Sequence, residues 1–390
     1  MTHRAWRGVL LWMFIVLAGI VPAPVSAQWI EDAALEQHIQ QGIRDTYSLR
    51  FDAADQHFRV VAQSRPDHPA GRFFLAMVDW WRILIEIENT SRDAAFVRKL
   101  DAVIALCDAR LEKDETDLTA LFFKGGAVGF RGRLHATRKD WIKAARDGRE
   151  ALPIVTSAGE LAPDNADLGL GTGIYNYYAA VLPEQYRVLK PLMLFLPAGD
   201  KAKGLRQLRA AAEQARYARW EAMYFLVQAY ASYENRPSSA LAWVRKLREE
   251  FPTNVVFHRA LGRIHVRLGA MRDAAAVFGE IRDLCRSDVV GYGIAAEREA
   301  AYYIGLEALQ RRDLEPAMQA FVRCDELSRT LDSNEPSGFM ISANLRIGYV
   351  HDLYGQRTLA LKQYDKVLAM RDAAGSHADA EQHRKQPYQR

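Results

Sequence analysis

The sequence predicts an all-α solenoid, in which antiparallel helix pairs follow one another along the chain. Glycine, alanine and an aromatic residue recur at fixed spacing in four places, which is typical of a repeated helical unit. The segment 72–88 is apolar on most faces of a helix, whereas 93–113 is amphipathic. A length of 390 residues is too great for one ordinary compact core and suits a repeat array.

The chain opens with the pattern of a secretory signal peptide. Arg4 and Arg7 precede an apolar run over residues 9–21, and small residues lead to Ala27. This layout predicts cleavage after Ala27, so we assign 1–27 as a signal peptide. The mature protein is then expected to be exported, to the periplasm where the host has two membranes, or secreted. The alternative is that the segment is retained as an N-terminal anchor.

Net charge narrows the class of partner, and the cysteine content decides whether disulfide bonds are expected. Removal of residues 1–27 takes away two arginines and no acid, so the formal net charge falls from +4 to +2. A nearly neutral chain gives no support to nucleic-acid binding, and we expect no nucleic-acid partner. Cys107, Cys285 and Cys324 are odd in number and far apart, so no disulfide framework is expected.

The repeat pattern begins in the N-terminal part of the chain, which we assign to residues 28–160. Gly42, Ala54, Phe58 and Pro66 stand at successive spacings of twelve, four and eight. These are the spacings of a tetratricopeptide repeat. The glycine lets the first helix approach the second, the alanine gives the closest contact, the aromatic ring fills the joint, and the proline ends the second helix.

Residues 220–372 contain the same repeat pattern. In three further units the glycine precedes the alanine by twelve and the alanine precedes the aromatic residue by four: Gly262, Ala274 and Phe278; Gly305, Ala317 and Phe321; Gly348, Ala360 and Tyr364. These units are 43 residues apart, longer than the usual repeat of about 34. The extra length falls in the loop-like segments 289–293 and 332–338. Residues 373–390 are polar and are expected to be disordered.

Residues 161–219 form a central segment with the densest glycine and proline content, which we expect to be helical but irregular in its course. Within it, 191–196 reads Pro-Leu-Met-Leu-Phe-Leu, and Pro197 follows. Two prolines six apart exclude a long helix through these residues. Their apolar side chains either plug the superhelix or stand exposed. In the exposed alternative, Leu192, Leu194 and Phe195 would contact a membrane or a partner.

Several motifs of the central segment match a known family. Residues 171–176 read Gly-Thr-Gly-Ile-Tyr-Asn, Leu182-Pro183 follows, and the apolar stretch ends in Gly199-Asp200. In these motifs and in its repeats, the chain resembles the tetratricopeptide-repeat family that includes the yeast inclusion-body clearance protein. This resemblance implies a non-enzymatic helical scaffold. The export signal differs from the cytosolic eukaryotic members, so their cellular roles are not transferred.

The motifs of common enzymes do not occur in the sequence, and we predict no catalytic residue, no metal ion and no cofactor. Gly169, Gly171 and Gly173 lack both the βαβ setting of a dinucleotide fingerprint and the Gly-Lys-Ser/Thr of a phosphate loop. We expect them to pack helices. His258 and His265 lack the His-Glu-x-x-His pattern of a zinc protease, and no Gly-x-Ser-x-Gly elbow is present.

One enzymatic alternative stays open. Exported α/α-toroids that hydrolyse carbohydrate are also built from helix pairs, and Asp164, Asp167, Glu184 and Asp200 could supply paired carboxylates. The simpler role of these residues is helix capping. The open-ended repeat spacing favours a solenoid over a closed ring.

The first helix of each pair lines the concave face of a solenoid, where extended peptides bind. Counting from the glycine positions places nine candidate binding residues on that face: Tyr177, Tyr178, Phe225, Tyr233, Arg259, Arg263, Arg267, Tyr302 and Tyr349. The three arginines are four residues apart and form one stripe. This arginine stripe predicts either a groove for an acidic peptide with aromatic anchors or a solvated helix face.

These observations predict an exported, non-enzymatic scaffold that mediates protein–protein interaction or assembly in the cell envelope through a protein or peptide partner. The alternatives are an exported toroid hydrolase and a peripheral membrane adaptor that uses the apolar central loop. The repeat spacing further predicts an elongated molecule with contacts between neighbouring repeats only.

Overall fold

The computed structural model describes residues 29–185, 197–332 and 335–389. Within these ranges the regular secondary structure is entirely helical, which confirms the predicted all-α class. The predicted signal peptide and the hexapeptide 191–196 lie outside the described residues. In the part of the chain that is described, every helix is too short or too polar to cross a bilayer.

The described residues contain seventeen α-helices. In chain order they are α1 Ala33–Tyr47, α2 Phe51–Ser64, α3 Pro69–Ile85, α4 Asp93–Leu111, α5 Leu118–Thr137, α6 Trp141–Leu161, α7 Leu168–Gln185, α8 Lys201–Gln214, α9 Arg219–Gln228, α10 Pro237–Glu250, α11 Val255–Arg267, α12 Met271–Leu284, α13 Ile294–Gln310, α14 Leu314–Leu331, α15 Gly338–Leu353, α16 Arg357–Leu368 and α17 Ser376–Lys385. A π-turn, Ala229–Tyr233, extends α9. Helices α1 to α16 pack as eight consecutive antiparallel pairs, and α17 covers the last pair.

Side-chain caps fix where several helices begin. Asp32, Asp117, Asp140, Asp200 and Asn254 each accept hydrogen bonds from backbone N–H groups in the first turn of the helix that follows. These N–H groups have no partner within the helix, and each cap stabilises it by about 1 kcal/mol. The polar residues that separate the apolar segments in the sequence therefore determine the helix starts.

The glycine-to-aromatic spacing is a packing joint inside the helix pair. A Cβ atom added to Gly42 would lie 2.6 Å from the Phe58 ring, and one added to Gly262 would lie 2.7 Å from the Phe278 ring. The same relation holds in two further pairs, for Gly305 with Phe321 and Gly348 with Tyr364. All four rings are fully buried. The predicted contact between the first and second helix of each pair, through the glycine and the aromatic residue of the repeat pattern, is therefore confirmed.

The central segment contributes one helix pair. Residues 168–185 and 201–214 are helical, and α7 and α8 form the fourth pair. A Cβ atom on Gly204 would lie 2.5 Å from the backbone nitrogen of Tyr177, and one on Gly173 would lie 3.0 Å from Leu208 Cγ. The prediction that glycines here pack helices is confirmed. Dense glycine marks a helix crossing in this segment, where a side chain would separate the two backbones.

The expectation of contacts between neighbouring repeats only is wrong. Tyr47, at the end of α1, packs against the rings of Trp220 on α9 and Phe257 on α11. Asn254 donates from Nδ2 to the backbone oxygen of Tyr47 at 2.7 Å. One continuous apolar core consequently extends from the first pair into α13. The first pair thus closes against the fifth and sixth pairs, a relation that repeat spacing does not report.

The predicted disorder of the C-terminal tail is also wrong. Residues 376–385 form α17, and the ring of Tyr388 stacks on that of Tyr349 with centroids 4.0 Å apart. The backbone N–H of Tyr388 donates to Asp352 Oδ2 at 2.8 Å. The tail caps the last pair, because a terminal repeat would otherwise expose its apolar face.

Candidate binding site on the inner face

The first helices of successive pairs lie closer to one another than the second helices do. Contacts join α1 to α3, α3 to α5, α5 to α7 and α7 to α9. Among the described residues, no second helix contacts the next second helix to that extent. The first helices therefore line the inner, concave face of the solenoid.

Four of the nine predicted residues meet on this face. Tyr178 lies at their centre, with its ring centroid 5.1 Å from Tyr177, 5.5 Å from Tyr233 and 6.0 Å from Phe225. The rings meet edge to face, the geometry that the aromatic quadrupole favours. We call Tyr177, Tyr178, Phe225 and Tyr233 the aromatic cluster. It brings α7 together with α9 and its π-turn.

The members of the aromatic cluster differ in their accessibility. Tyr177 is fully buried, and its hydroxyl donates to Glu234 Oε1 at 2.9 Å. Burial, followed by this hydrogen bond, raises the pKa of Tyr177 above its ordinary value. Tyr178 and Tyr233 keep part of their surface exposed. Tyr177 therefore fixes α7 to the π-turn, whereas Tyr178 and Tyr233 are the partly exposed members of the cluster.

Arg133 on α5 packs against the aromatic cluster, and sequence reasoning does not identify it. The centre of its guanidinium group lies 4.3 Å from the ring centroid of Phe225 and 4.9 Å from that of Trp80. Its Nη1 donates to Glu221 Oε1 at 2.5 Å. Such cation–π contacts stabilise by about 0.5–2 kcal/mol each. In the sequence Arg133 is one of several charges in a glycine-rich helix, with no sign of a partner 88 residues away.

The arginine stripe is largely engaged within the protein. Glu299 on α13 is fully buried and accepts hydrogen bonds from Arg259 Nε at 2.6 Å and from Arg263 Nη2 at 2.8 Å. Burial alone would raise the pKa of Glu299, but the two guanidinium groups hold it below its usual range. Arg267 lies one turn further along α11 and is exposed. The stripe thus joins α11 to α13, and its outer end faces solvent.

Tyr302 and Tyr349 lie apart from the aromatic cluster. Tyr302 packs edge-on against Tyr303 and Phe339, with ring centroids 5.3 and 5.5 Å away. Tyr349 is buried beneath Tyr388 of the tail. Both belong to a second apolar core, which α13 to α17 build. These two predicted residues therefore pack the C-terminal pairs.

Asp167 and Asp200, two of the four carboxylates considered for a toroid hydrolase, hold the chain together. Asp167 is buried and accepts hydrogen bonds from the Trp29 indole at 2.8 Å and from the backbone N–H groups of Tyr217 and Ala218 at 2.8 and 2.9 Å. Asp200 caps α8. These bonds give both residues structural roles. In the described ranges, no three or more His, Cys, Asp or Glu side chains are grouped to hold a metal ion.

A second concavity, of about 690 Å³, lies between α14, α15 and α16. Its floor contains Asn344, which is fully buried, donates to Asp325 Oδ1 at 2.6 Å and accepts from Lys366 Nζ at 2.6 Å. Met318 and Val322 add an apolar wall. The sequence gives no sign of this concavity, because its lining is distributed over three helices.

The helix pairs and their glycine–aromatic joints define the class: a tetratricopeptide-like α-solenoid. No protein-family model and no curated protein matches the sequence. Among solved structures, the human IFIT1 dimer with PPP-AAAA is similar at 14% identity and a TM-score of 0.45, over 82% of this chain and 68% of that one.

Two further structures are similar to a lower degree. The C-terminal part of a TPR repeat-containing protein from Cytophaga hutchinsonii is 14% identical, with a TM-score of 0.38 over 75% of this chain and 96% of that one. A monomeric IFIT1 mutant with Gppp-AAAA is 12% identical, with a TM-score of 0.37 over 92% and 89%. Similarity of this degree carries no argument about function. The likeness to the family of the yeast inclusion-body clearance protein rests on the central motifs and the repeats of the sequence alone.

Proposed function

We propose that this protein is an exported, non-enzymatic scaffold that binds a protein or peptide on its inner face and serves assembly in the cell envelope. The observation that carries the proposal is the aromatic cluster, where Tyr178 and Tyr233 present partly exposed rings 5.5 Å apart on the inner face. Tyrosine offers a large contact area at low entropic cost and is enriched in protein interfaces.

The charges around the aromatic cluster favour a ligand with an apolar or aromatic anchor. The guanidinium groups of Arg133, Arg259 and Arg263 are already paired with two buried carboxylates, Glu221 and Glu299. Arg267 lies further out and is exposed. An extended peptide that places an aromatic side chain on Tyr178 and an acidic one near Arg267 suits both features. Binding of a purely acidic peptide has less support, because two of the three arginines of the stripe already bind Glu299.

Site-specific photo-crosslinking in the native cell envelope tests this site. A photoreactive residue at position 178 should capture a defined protein partner. The matched control is position 142, where Ile142 on a second helix is 68% exposed. Capture of the same species at both positions, or none at 178, would contradict an inner-face site. The double variant Tyr178→Ala/Tyr233→Ala should abolish capture through a probe placed at Arg267.

Export and membrane contact are separate parts of the proposal, and both depend on residues outside the described ranges. Fractionation of cells that express the chain with and without residues 1–27 tests export. Only the longer form should leave the cytoplasm.

The peripheral-membrane alternative predicts that Leu194→Asp and Phe195→Asp release the protein from vesicles. An inner-face scaffold predicts that binding of the partner is unaffected by these two changes.

A further inference from the structure

Two histidines face each other across the first helix pair. His38 lies on α1 and His57 on α2, with their Nδ1 atoms 2.8 Å apart and their ring centroids 5.0 Å apart. Two imidazole nitrogens at this distance share one hydrogen, so one of them directs a lone pair at the other. Both side chains are partly exposed, so solutes can reach them. Two nitrogen donors therefore converge at an accessible point.

A buried carboxylate lies beside one of the two rings. Nε2 of His57 lies 3.6 Å from Asp45 Oδ2, and Asp45 is only 3% exposed. Arg50 and Gln41 donate to the other oxygen of Asp45, at 2.9 and 3.2 Å, and so fix its position. A carboxylate beside the outer nitrogen favours the tautomer with hydrogen there and the lone pair on Nδ1. Metal-bound histidines are commonly supported in this way.

We propose that His38 and His57 form a binding site for a divalent transition-metal ion such as Zn²⁺, with both Nδ1 atoms as ligands and water in the remaining positions. Zn–N bonds of about 2.0–2.1 Å at a tetrahedral angle place the two nitrogens about 3.3 Å apart. Small rotations of the two rings give this separation. The ion takes the place of the shared hydrogen, which leaves as a proton. Imidazole donors favour Zn²⁺, Cu²⁺ or Ni²⁺ over Mg²⁺ and Ca²⁺.

The site has a defined place in the fold. It joins α1 to α2, the pair that also closes against the fifth and sixth pairs. An ion that binds only the folded state raises the temperature of unfolding. Because the protein supplies two ligands rather than four, open positions remain at which a donor from another molecule can bind. The two histidines are 19 residues apart on different helices, so no metal-binding motif is visible in the sequence.

Calorimetric titration of the tag-free chain with Zn²⁺ tests the proposal. The parent should bind one ion at this site, and His38→Asn and His57→Asn should each weaken binding at least tenfold. His351→Asn is the matched control, because His351 is a partly exposed histidine whose partner is Gln356. It should bind Zn²⁺ like the parent. Parent-like binding by His38→Asn or His57→Asn, or no binding by the parent at millimolar Zn²⁺, would overturn the site.

A second measurement keeps the test valid if a variant fails to fold. In the parent, addition of Zn²⁺ should shift the imidazole nitrogen resonances of His38 and His57 together and leave His351 unchanged. Zn²⁺ should also raise the melting temperature of the parent and of His351→Asn. Resonance shifts confined to other histidines would show that the ion binds elsewhere, and the proposal would be wrong.

Discussion

Tyr47 donates its hydroxyl hydrogen to Glu221 at 2.8 Å, although 174 residues separate them. Glu221 also accepts from Arg133, so α1, α5 and α9 meet at one buried carboxylate. Burial, and to a lesser degree the charge of Glu221, raises the pKa of Tyr47 well above its ordinary value. The hydroxyl therefore stays a donor throughout the physiological pH range. This bond holds the first helix pair against the fifth.

Replacement of Tyr47 by Phe keeps the ring and removes this one hydrogen bond. We expect the free energy of unfolding to fall by about 1–3 kcal/mol, because a buried charged acceptor loses a donor. Urea unfolding followed by circular dichroism measures the change. Tyr354→Phe, at an exposed position after α15, is the control and should shift the value by less than about 0.5 kcal/mol. Equal effects of the two changes would show that closure does not depend on the Tyr47 hydroxyl.

Two glycines on neighbouring helices give opposite predictions. Gly262→Ala places a methyl group 2.7 Å from the Phe278 ring and should destabilise the fold by about 1–3 kcal/mol through overpacking. Gly279→Ala, inside α12 with no atom within 4 Å, should stabilise it by about 0.5–1 kcal/mol through helix propensity. Thermal unfolding of both variants decides this point. A harmless Gly262→Ala would mean that the joint is loosely packed.

Glu299 forms ion pairs with two arginines of the stripe. Glu299→Gln keeps the size of the side chain but removes its charge, and leaves Arg259 and Arg263 without a carboxylate. We expect a loss of about 3 kcal/mol, at the low end for buried pairs because the Arg263 side chain is 51% exposed. Arg267→Gln, at the exposed end of the same stripe, is the control. If both variants unfold at the same urea concentration as the parent, the stripe is not a structural joint.

His258 is fully buried and should make the protein sensitive to acid. Its Nδ1 lies 2.9 Å from the Tyr292 hydroxyl, and its Nε2 lies 3.2 Å from Glu280 Oε2. Burial, followed by the charge of Arg248, lowers the pKa of His258 to about 3. Glu280 would favour the charged ring, but its side chain is 65% exposed to water, so burial prevails. The folded protein therefore keeps this ring neutral.

The sign of the pH effect follows from the lowered pKa. Below pH about 6.5 the unfolded chain binds a proton at His258 and the folded protein does not. The free energy of unfolding should therefore fall as pH drops from about 6.5 towards 3, by up to about 1.4 kcal/mol per pH unit from this residue. In His258→Gln this contribution should vanish. Urea unfolding at pH 7, 6 and 5 compares the slopes, and equal slopes in parent and variant would contradict the assignment.

The parts of the fold that the sequence predicts are those determined within one helix pair. Gly262 and Phe278 are sixteen residues apart and in contact, and the glycine and aromatic residue at the same spacing are in contact in the other three pairs of this type. The spacing therefore predicts the contact directly. The contact of the first helix pair with the fifth and sixth pairs has no such pattern in the sequence. Tyr47, Glu221 and Asn254 are isolated polar or aromatic residues in the sequence, and only the superhelical path of the intervening pairs brings them together.

The candidate site was predictable to the same extent. Counting from glycine positions identifies Tyr178 and Phe225, because first helices turn the same face inwards. The carboxylates that pair with the arginines, Glu221 and Glu299, leave no such pattern, because charge pairing between helix pairs is not periodic in the sequence. In the C-terminal tail the sequence predicts too little structure. Its polar composition indicates disorder, but the stack of the Tyr388 ring on Tyr349 and a hydrogen bond to Asp352 hold the tail against the last pair.

The contact between Tyr47 and Asn254 sets an order of events during synthesis. A chain made from its N-terminus forms α1 and α2 early, but Asn254, which bonds to the backbone of Tyr47, follows 207 residues later. Until then the part of Tyr47 that packs against Trp220 and Phe257 is not fully covered, and non-local contacts of this separation form slowly. Folding of the first pair is therefore completed only after the sixth pair has emerged. During that interval the exposed apolar surface of the first pair is the part of the nascent chain most open to aggregation.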